Sequence, residues 1–191
     1  MIAPRLFKPV CLAALFLVLA APGAKALEEG KPVPHFEIAL ADGKLFKSSE
    51  ARGEVLVVNL WATWCSYCRE EMPALETYYQ RHKAEGLRMI AVSMDEAGDA
   101  AKSREIMQAY SYQAGVGRAS DLKAFGRIWR LPMTFVIDRN GILRKDGSEG
   151  DPKVDLAALE KLVTPLLKAG GAAPLKIRRR RGRQPKPCSA R

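Results

Sequence analysis

Apolar and polar positions along the chain fall into short blocks of distinct period. Residues 35–40 (HFEIAL) alternate, which predicts a half-buried strand. Asp42-Gly43 follows as a turn signal and leads into Leu45-Phe46, so a β-hairpin is expected there. Ser48 and Ser49 can cap one short helical turn ending at Gly53. Residues 54–60 (EVLVVNL) and 87–94 (LRMIAVSM) are nearly continuous apolar runs, the pattern of central strands buried on both faces. Between them, 69–85 is helical in composition and stops at Gly86, while Pro73 inside it predicts a kink or a later start. Residues 100–110 and 120–129 read as two further helices, the second with Asp121 near its start. Residues 134–138 (TFVID) form a strand, Arg139-Asn140-Gly141 a hairpin turn, and 142–145 its antiparallel partner. A last amphipathic helix spans 155–167, entered through Asp151-Pro152.

The order β, β, α, β, α, α, β, β, α predicts an α/β fold. Its mixed central sheet is covered by helices on both faces and carries an N-terminal hairpin extension. No internal repeat is present. The two ends have a different character. Arg5 and Lys8 precede an apolar run over 10–21, and Ala24-Lys25-Ala26 then reads as a small-x-small cleavage site. That run is shorter than the ~20 residues a spanning helix needs. Residues 1–26 are thus expected to be a secretory signal peptide, with an uncleaved anchor as the alternative. Either way the body lies outside the cytoplasm, which in a bacterium means a periplasmic protein or one tethered through its N-terminus. Residues 170–191 (GGAAPLKIRRRRGRQPKPCSAR) lack the apolar content of a core and read as a disordered basic tail. The folded domain is expected over 27–169.

Charge sharpens this division. The net charge of +10 is concentrated at the ends: residues 1–26 carry +3 and 175–191 carry +8, leaving the remainder close to neutral. A nucleic-acid-binding face on the body is not indicated. Arg178, Arg179, Arg180 and Arg181 could touch an anionic membrane surface, at about 1 kcal/mol per basic residue close to it. A solvated tail is the plainer reading. Nothing in the pattern calls for an oligomer, and a monomer is expected.

Four cysteines are present, but Cys11 lies in the signal, and Cys65, Cys68 and Cys188 remain. An odd count in an exported chain is not a disulfide scaffold. One close pair instead points to chemistry at Cys65-Ser66-Tyr67-Cys68, set between a buried strand and a helix. A cysteine at a helix N-terminus meets unpaired N–H groups and the positive end of the dipole, so its thiolate is favoured. Cys65 is expected to be the exposed attacking sulfur, and Cys68, one turn inside, the sheltered resolving one. A structural zinc site would need four ligands, yet only His35 and His82 are available besides. A structural disulfide closing so short a loop would add little stability. Neither a metal nor a cofactor is expected.

At these residues the sequence resembles the thioredoxin superfamily, specifically its TlpA/ResA branch of exported disulfide reductases. The stretch 57–75 (VVNLWATWCSYCREEMPAL) carries the resemblance, with a second match over 131–138 (LPMTFVID) followed by Asn140-Gly141. The resemblance covers roughly 30–168 and implies a thioredoxin-like fold. It implies that Cys65 and Cys68 are the redox pair. It also implies that Pro132 is a cis-proline facing them and that the Leu131 backbone docks a substrate strand by β-augmentation. Glu71 matches an acid placed to exchange the Cys68 proton; a solvated helix position is the alternative. Trp64 either shapes the docking surface or packs in the core, and Trp61 reads as core. Asn59 departs from the buried Asp of thioredoxin itself, and Ser66-Tyr67 departs from the frequent Pro-containing dipeptide.

The family further implies clients such as apocytochromes c or copper-site assembly proteins, and re-reduction by a membrane thiol donor of DsbD/CcdA type. Two rivals remain at this point. A DsbA-type oxidant would favour a helical insert and often a His between the cysteines. A copper-binding chaperone on the same fold would use the two thiolates for Cu(I).

Overall fold

The computed structural model describes residues 27–169. The expected signal, the basic tail and Cys188 lie outside these residues. Seven strands form one sheet: β1 (Glu37–Leu40), β2 (Leu45–Lys47), β3 (Val55–Trp61), β4 (Leu87–Ser93), β5 (Gln113–Asp121), β6 (Met133–Ile137) and β7 (Leu143–Lys145). Their spatial order is β2-β1-β5-β4-β3-β6-β7. β3, β4 and β5 run parallel, while β6 and β7 on one side and β1 and β2 on the other are antiparallel additions. The mixed sheet and its N-terminal hairpin are therefore as expected.

β3 is buried along its whole length because both faces of the sheet are covered. Val55, Val57 and Trp61 face a core layer built with α1 (Ser66–His82), α2 (Ala100–Met107), α3 (Leu156–Leu162) and α4 (Thr164–Lys168). Leu56, Val58 and Leu60 face the second layer, which Phe36, Phe46, Phe125 and Phe135 fill. Helical cover there consists of short 3-10 turns at Ser48–Ala51 and Lys123–Phe125. Among the described residues, no helix is long and apolar enough to cross a membrane.

Three expectations need correction. The helix expected over 120–129 does not form. Its first residues end β5, and only the turn Lys123–Phe125 follows, with Leu122 and Phe125 buried. β5 escapes the pattern because two of its residues are glycines fitted against their neighbours. A Cβ on Gly115 would sit 2.7 Å from the Ile38 side chain and 3.1 Å from that of Val92. One on Gly117 would sit 2.8 Å from the Ser93 carbonyl. Second, the final helix breaks into α3 and α4 at Val163, with Pro165 near the start of α4, where its missing N–H costs nothing. Third, α1 begins at Ser66 and runs through Pro73. Pro73 faces solvent, as does Arg69, whose carbonyl it leaves without a helical donor.

Candidate active site

β3 delivers the chain to the end of the sheet, and a tight segment over 62–65 turns it into α1. Cys65 is the N-cap of α1, and its sulfur accepts the Cys68 backbone N–H at 3.2 Å. The helix N-terminus thus aims an amide donor at the first sulfur. This is the environment that favours a thiolate once the pair is reduced. Cys65 and Cys68 are joined as a disulfide, with Cα atoms 5.3 Å apart. Cys65 retains 7 % exposure and Cys68 none, so of the two only Cys65 has any surface open to solvent.

The turn before Cys65 is held from β4. Asp95, buried just past the strand end, accepts the Thr63 N–H at 2.9 and 3.1 Å and the Thr63 hydroxyl at 2.9 Å. The Ser93 hydroxyl donates to the same carboxylate at 2.7 Å. Asp95 fixes the backbone two residues before the reactive sulfur. Sequence reasoning passed over it; an acid directly after a buried strand was the available signal.

Glu71 lies one turn beyond Cys68 on the same face of α1. It is not a solvated helix residue, being only 1 % exposed. Oε1 accepts from Asn59 Nδ2 at 2.7 Å and Oε2 accepts the Val154 N–H at 3.0 Å. Burial pushes its carboxyl up to about 7, against the opposing pull of the two hydrogen bonds and of Lys145 and Lys153. A buried carboxyl that titrates near neutrality beside a dithiol is suited to proton exchange.

Pro132 follows a cis peptide bond from Leu131. The ladder places it. Met133 pairs with Leu60, so Leu131 and Pro132 extend past the same sheet end from which Cys65 emerges. Leu131 packs at the edge of both core layers. Trp64 is 68 % exposed and Tyr67 65 %, whereas Trp61 is fully buried. Trp129, two residues before Leu131, is also exposed, with the Arg130 guanidinium 4.9 Å from its ring centre. Sequence reasoning did not single it out, because it fell inside the helix expected there.

The two histidines lie elsewhere. His35 contacts Ser48 and Glu37 on the N-terminal hairpin. His82 ends α1, fourteen residues after Cys68 and hence about 21 Å along the helix.

The Redoxin family profile matches residues 28–163. The chain belongs to the Redoxin family. Among this Redoxin's relatives, the thiol-disulfide oxidoreductase ResA of Bacillus thuringiensis subsp. konkukian is 29% identical over 140 residues. That match covers 73% of this chain and 80% of ResA. The thioredoxin-like protein YneN of Bacillus subtilis is 29% identical over 123 residues, 62% of this chain and 70% of YneN. Among solved structures, a thiol:disulfide interchange protein of the thioredoxin family from Chlorobium tepidum superposes with a TM-score of 0.60 at 26% identity. It covers 74% of this chain and 99% of that one. The chain is accordingly a thiol-disulfide oxidoreductase of the ResA, thioredoxin-like type, carrying a Cys65–Cys68 pair.

Proposed function

We propose that this oxidoreductase works outside the cytoplasm as a reductase of disulfides in exported client proteins. The observation that supports it best is the asymmetric pair: one slightly exposed cysteine at a helix N-cap and one fully buried cysteine behind it, with a buried acid one turn further on. The reduced protein begins with a Cys65 thiolate. It attacks a client disulfide, the client S–S bond breaks, and the departing client thiolate takes a proton from solvent. Glu71 accepts the Cys68 proton, and the Cys68 thiolate attacks the Cys65 sulfur. The Cys65–Cys68 bond forms and the second client thiolate leaves. Two electrons pass to the client, and a membrane thiol donor of DsbD/CcdA type restores the pair. Trp64 and the Leu131–Pro132 segment take the role of docking surface, with the Leu131 backbone pairing to the client strand. Apocytochromes c and copper-site assembly proteins are the client classes the family suggests.

Copper delivery is the weaker reading. Two thiolates alone can hold Cu(I), but the distal histidine usual in copper chaperones of this fold is not beside the pair: His35 lies on the N-terminal hairpin and His82 at the far end of α1. The deciding experiment is a Cys68→Ser chain expressed in its native envelope. The proposal predicts client proteins captured on Cys65 through reducible mixed disulfides, and their absence from a Cys65→Ser, Cys68→Ser control. Equilibration with glutathione then tests direction. A potential of about −120 mV, typical of DsbA, would make the protein an oxidant and overturn the reductase reading.

A further inference from the structure

Asp95 is a carboxylate that the fold buries without a counter-ion. It is 5 % exposed and sits just past β4, beside the turn that leads into Cys65. Three donors converge on it: the Thr63 N–H, the Thr63 hydroxyl and the Ser93 hydroxyl. Among the described residues no cation lies within ion-pair distance of it. Arg118, in the same cleft, pairs with Glu96, and Arg104 on α2 is exposed to solvent. A neutral acceptor could hold the Thr63 N–H without the cost of burying a charge, so the charge itself needs a role. Its place beside the reactive sulfur supplies one. The Cys65 N–H donates to the Ala62 carbonyl at 3.1 Å, which folds 62–65 into a tight turn. Two residues of chain reach at most about 7 Å, which puts the Asp95 carboxylate on the order of 10 Å from the Cys65 sulfur. The disulfide is neutral and indifferent to that charge, whereas a Cys65 thiolate is repelled by it.

We propose that the buried Asp95 charge poises the pair as an electron donor: while its hydrogen bonds position the turn, its field raises the energy of the Cys65 thiolate and with it that of the reduced protein. The proposal rests on the reductase reading above and names a residue that enforces it. A dithiol whose reduced form is stabilised is an oxidant, as in DsbA, and one whose thiolate is held high in energy gives up its electrons more readily. The N-terminus of α1 pulls the other way, through the Cys68 N–H at 3.2 Å from the Cys65 sulfur. The two opposed fields leave Cys65 a more basic and more nucleophilic thiolate than its N-cap alone would give. The other charged groups around the pair are Glu71 beyond Cys68 and the exposed Arg69 and Glu70 on α1, Glu70 being paired with Lys153. Arg130, ahead of Leu131, is held by the Gly147 and Gly150 carbonyls. All of these are unchanged when Asp95 alone is replaced.

The test is Asp95→Asn, which removes the charge and keeps an oxygen to accept from Thr63. In the full chain with Cys11, Cys68 and Cys188 replaced by serine, Cys65 is the sole thiol, and its rate with neutral dithiodipyridine is followed against pH. Loss of one charge at this range should lower the Cys65 midpoint by about half a unit to one unit. The plateau rate at high pH should fall about two- to threefold, since a less basic thiolate is a weaker nucleophile. A residue that only held the turn would act with the opposite sign, because loosening the N-cap weakens the Cys68 N–H contact and raises the midpoint. Thr63→Val loosens the turn and keeps the charge, so its midpoint should not fall. The same profile on Asp95→Ser, also neutral, covers an asparagine variant that fails to fold. An unchanged or higher midpoint without the charge, or an equal fall in Thr63→Val, overturns the proposal. In the chain that keeps Cys65 and Cys68, glutathione equilibration about one unit above the parent's Cys65 midpoint should move about three- to tenfold toward the dithiol in Asp95→Asn. A parent potential of DsbA type would end the reductase reading, while the difference between the two proteins still decides the effect of the charge.

Discussion

Replacing Glu71 with glutamine should change how stability depends on pH, and the structure fixes the size and sign. In the unfolded chain Glu71 releases its proton near 4.5, and in the folded protein at about 7. Between these values the folded state holds a proton that the unfolded state has lost. Stability therefore falls as pH rises through this window, by about 1.4 kcal/mol per unit. The full effect is about 3 kcal/mol, present below the unfolded value and gone above the folded one. A glutamine side chain cannot ionise, so the variant escapes this loss. Both proteins share the carboxylates held below their ordinary values, Asp138 among them, and the difference between the two proteins cancels those. The assay is urea unfolding of the oxidised full chains from about pH 4.5 to 8.5 at fixed ionic strength. Relative to the parent, Glu71→Gln should gain about 3 kcal/mol across that range, whatever fixed offset its amide introduces. A difference flat to within about 0.5 kcal/mol would refute the claim that burial holds a proton on Glu71 near neutrality.

Three other perturbations test separate parts of the account. Asp95→Ala strands the buried Thr63 N–H and two hydroxyls, and should cost about 3–5 kcal/mol in urea unfolding while also slowing reaction at Cys65; a loss below about 1 kcal/mol would deny Asp95 its clamp role. Gly115→Ala forces a methyl against Ile38 and Val92 and should destabilise by about 1–3 kcal/mol, read as a lower urea midpoint at unchanged slope. Asp155→Ala removes the side-chain cap that accepts the Ala158 N–H at 2.8 Å and should cost about 1 kcal/mol, with activity untouched.

Much of the fold is legible where side chains announce their surroundings. The runs VLVVNLW and LRMIAVS can only be buried strands, and Asp42-Gly43 marks its hairpin without help from tertiary structure. β5 is the counterexample. QAGVGRASD has neither an apolar run nor clean alternation, because its glycines exist to let Ile38, Val92 and Met94 come close. That requirement belongs to the neighbours and leaves no local trace. The site divides in the same way. Cys65 and Cys68 declare themselves by spacing and by the strand and helix around them. The burial of Glu71 does not, since Arg69 and Glu70 beside it give the segment the look of a solvated face; only the Val154 amide and Asn59 closing over the carboxyl reveal it. Asp95 likewise becomes meaningful only when the end of β4 is set against Thr63.

The central claim is that Cys65 attacks and Cys68 resolves, and one measurement meets it directly. The chain, reduced at Cys65 and Cys68 and with Cys11 and Cys188 replaced by serine, is mixed with a disulfide-bonded protein substrate, and the linked species are quenched with acid and identified by mass. The account predicts complete turnover for the parent, a stable adduct through Cys65 for Cys68→Ser, and no adduct for Cys65→Ser. An adduct forming through Cys68 in the Cys65→Ser chain, or a Cys68→Ser chain that turns over like the parent, would contradict it.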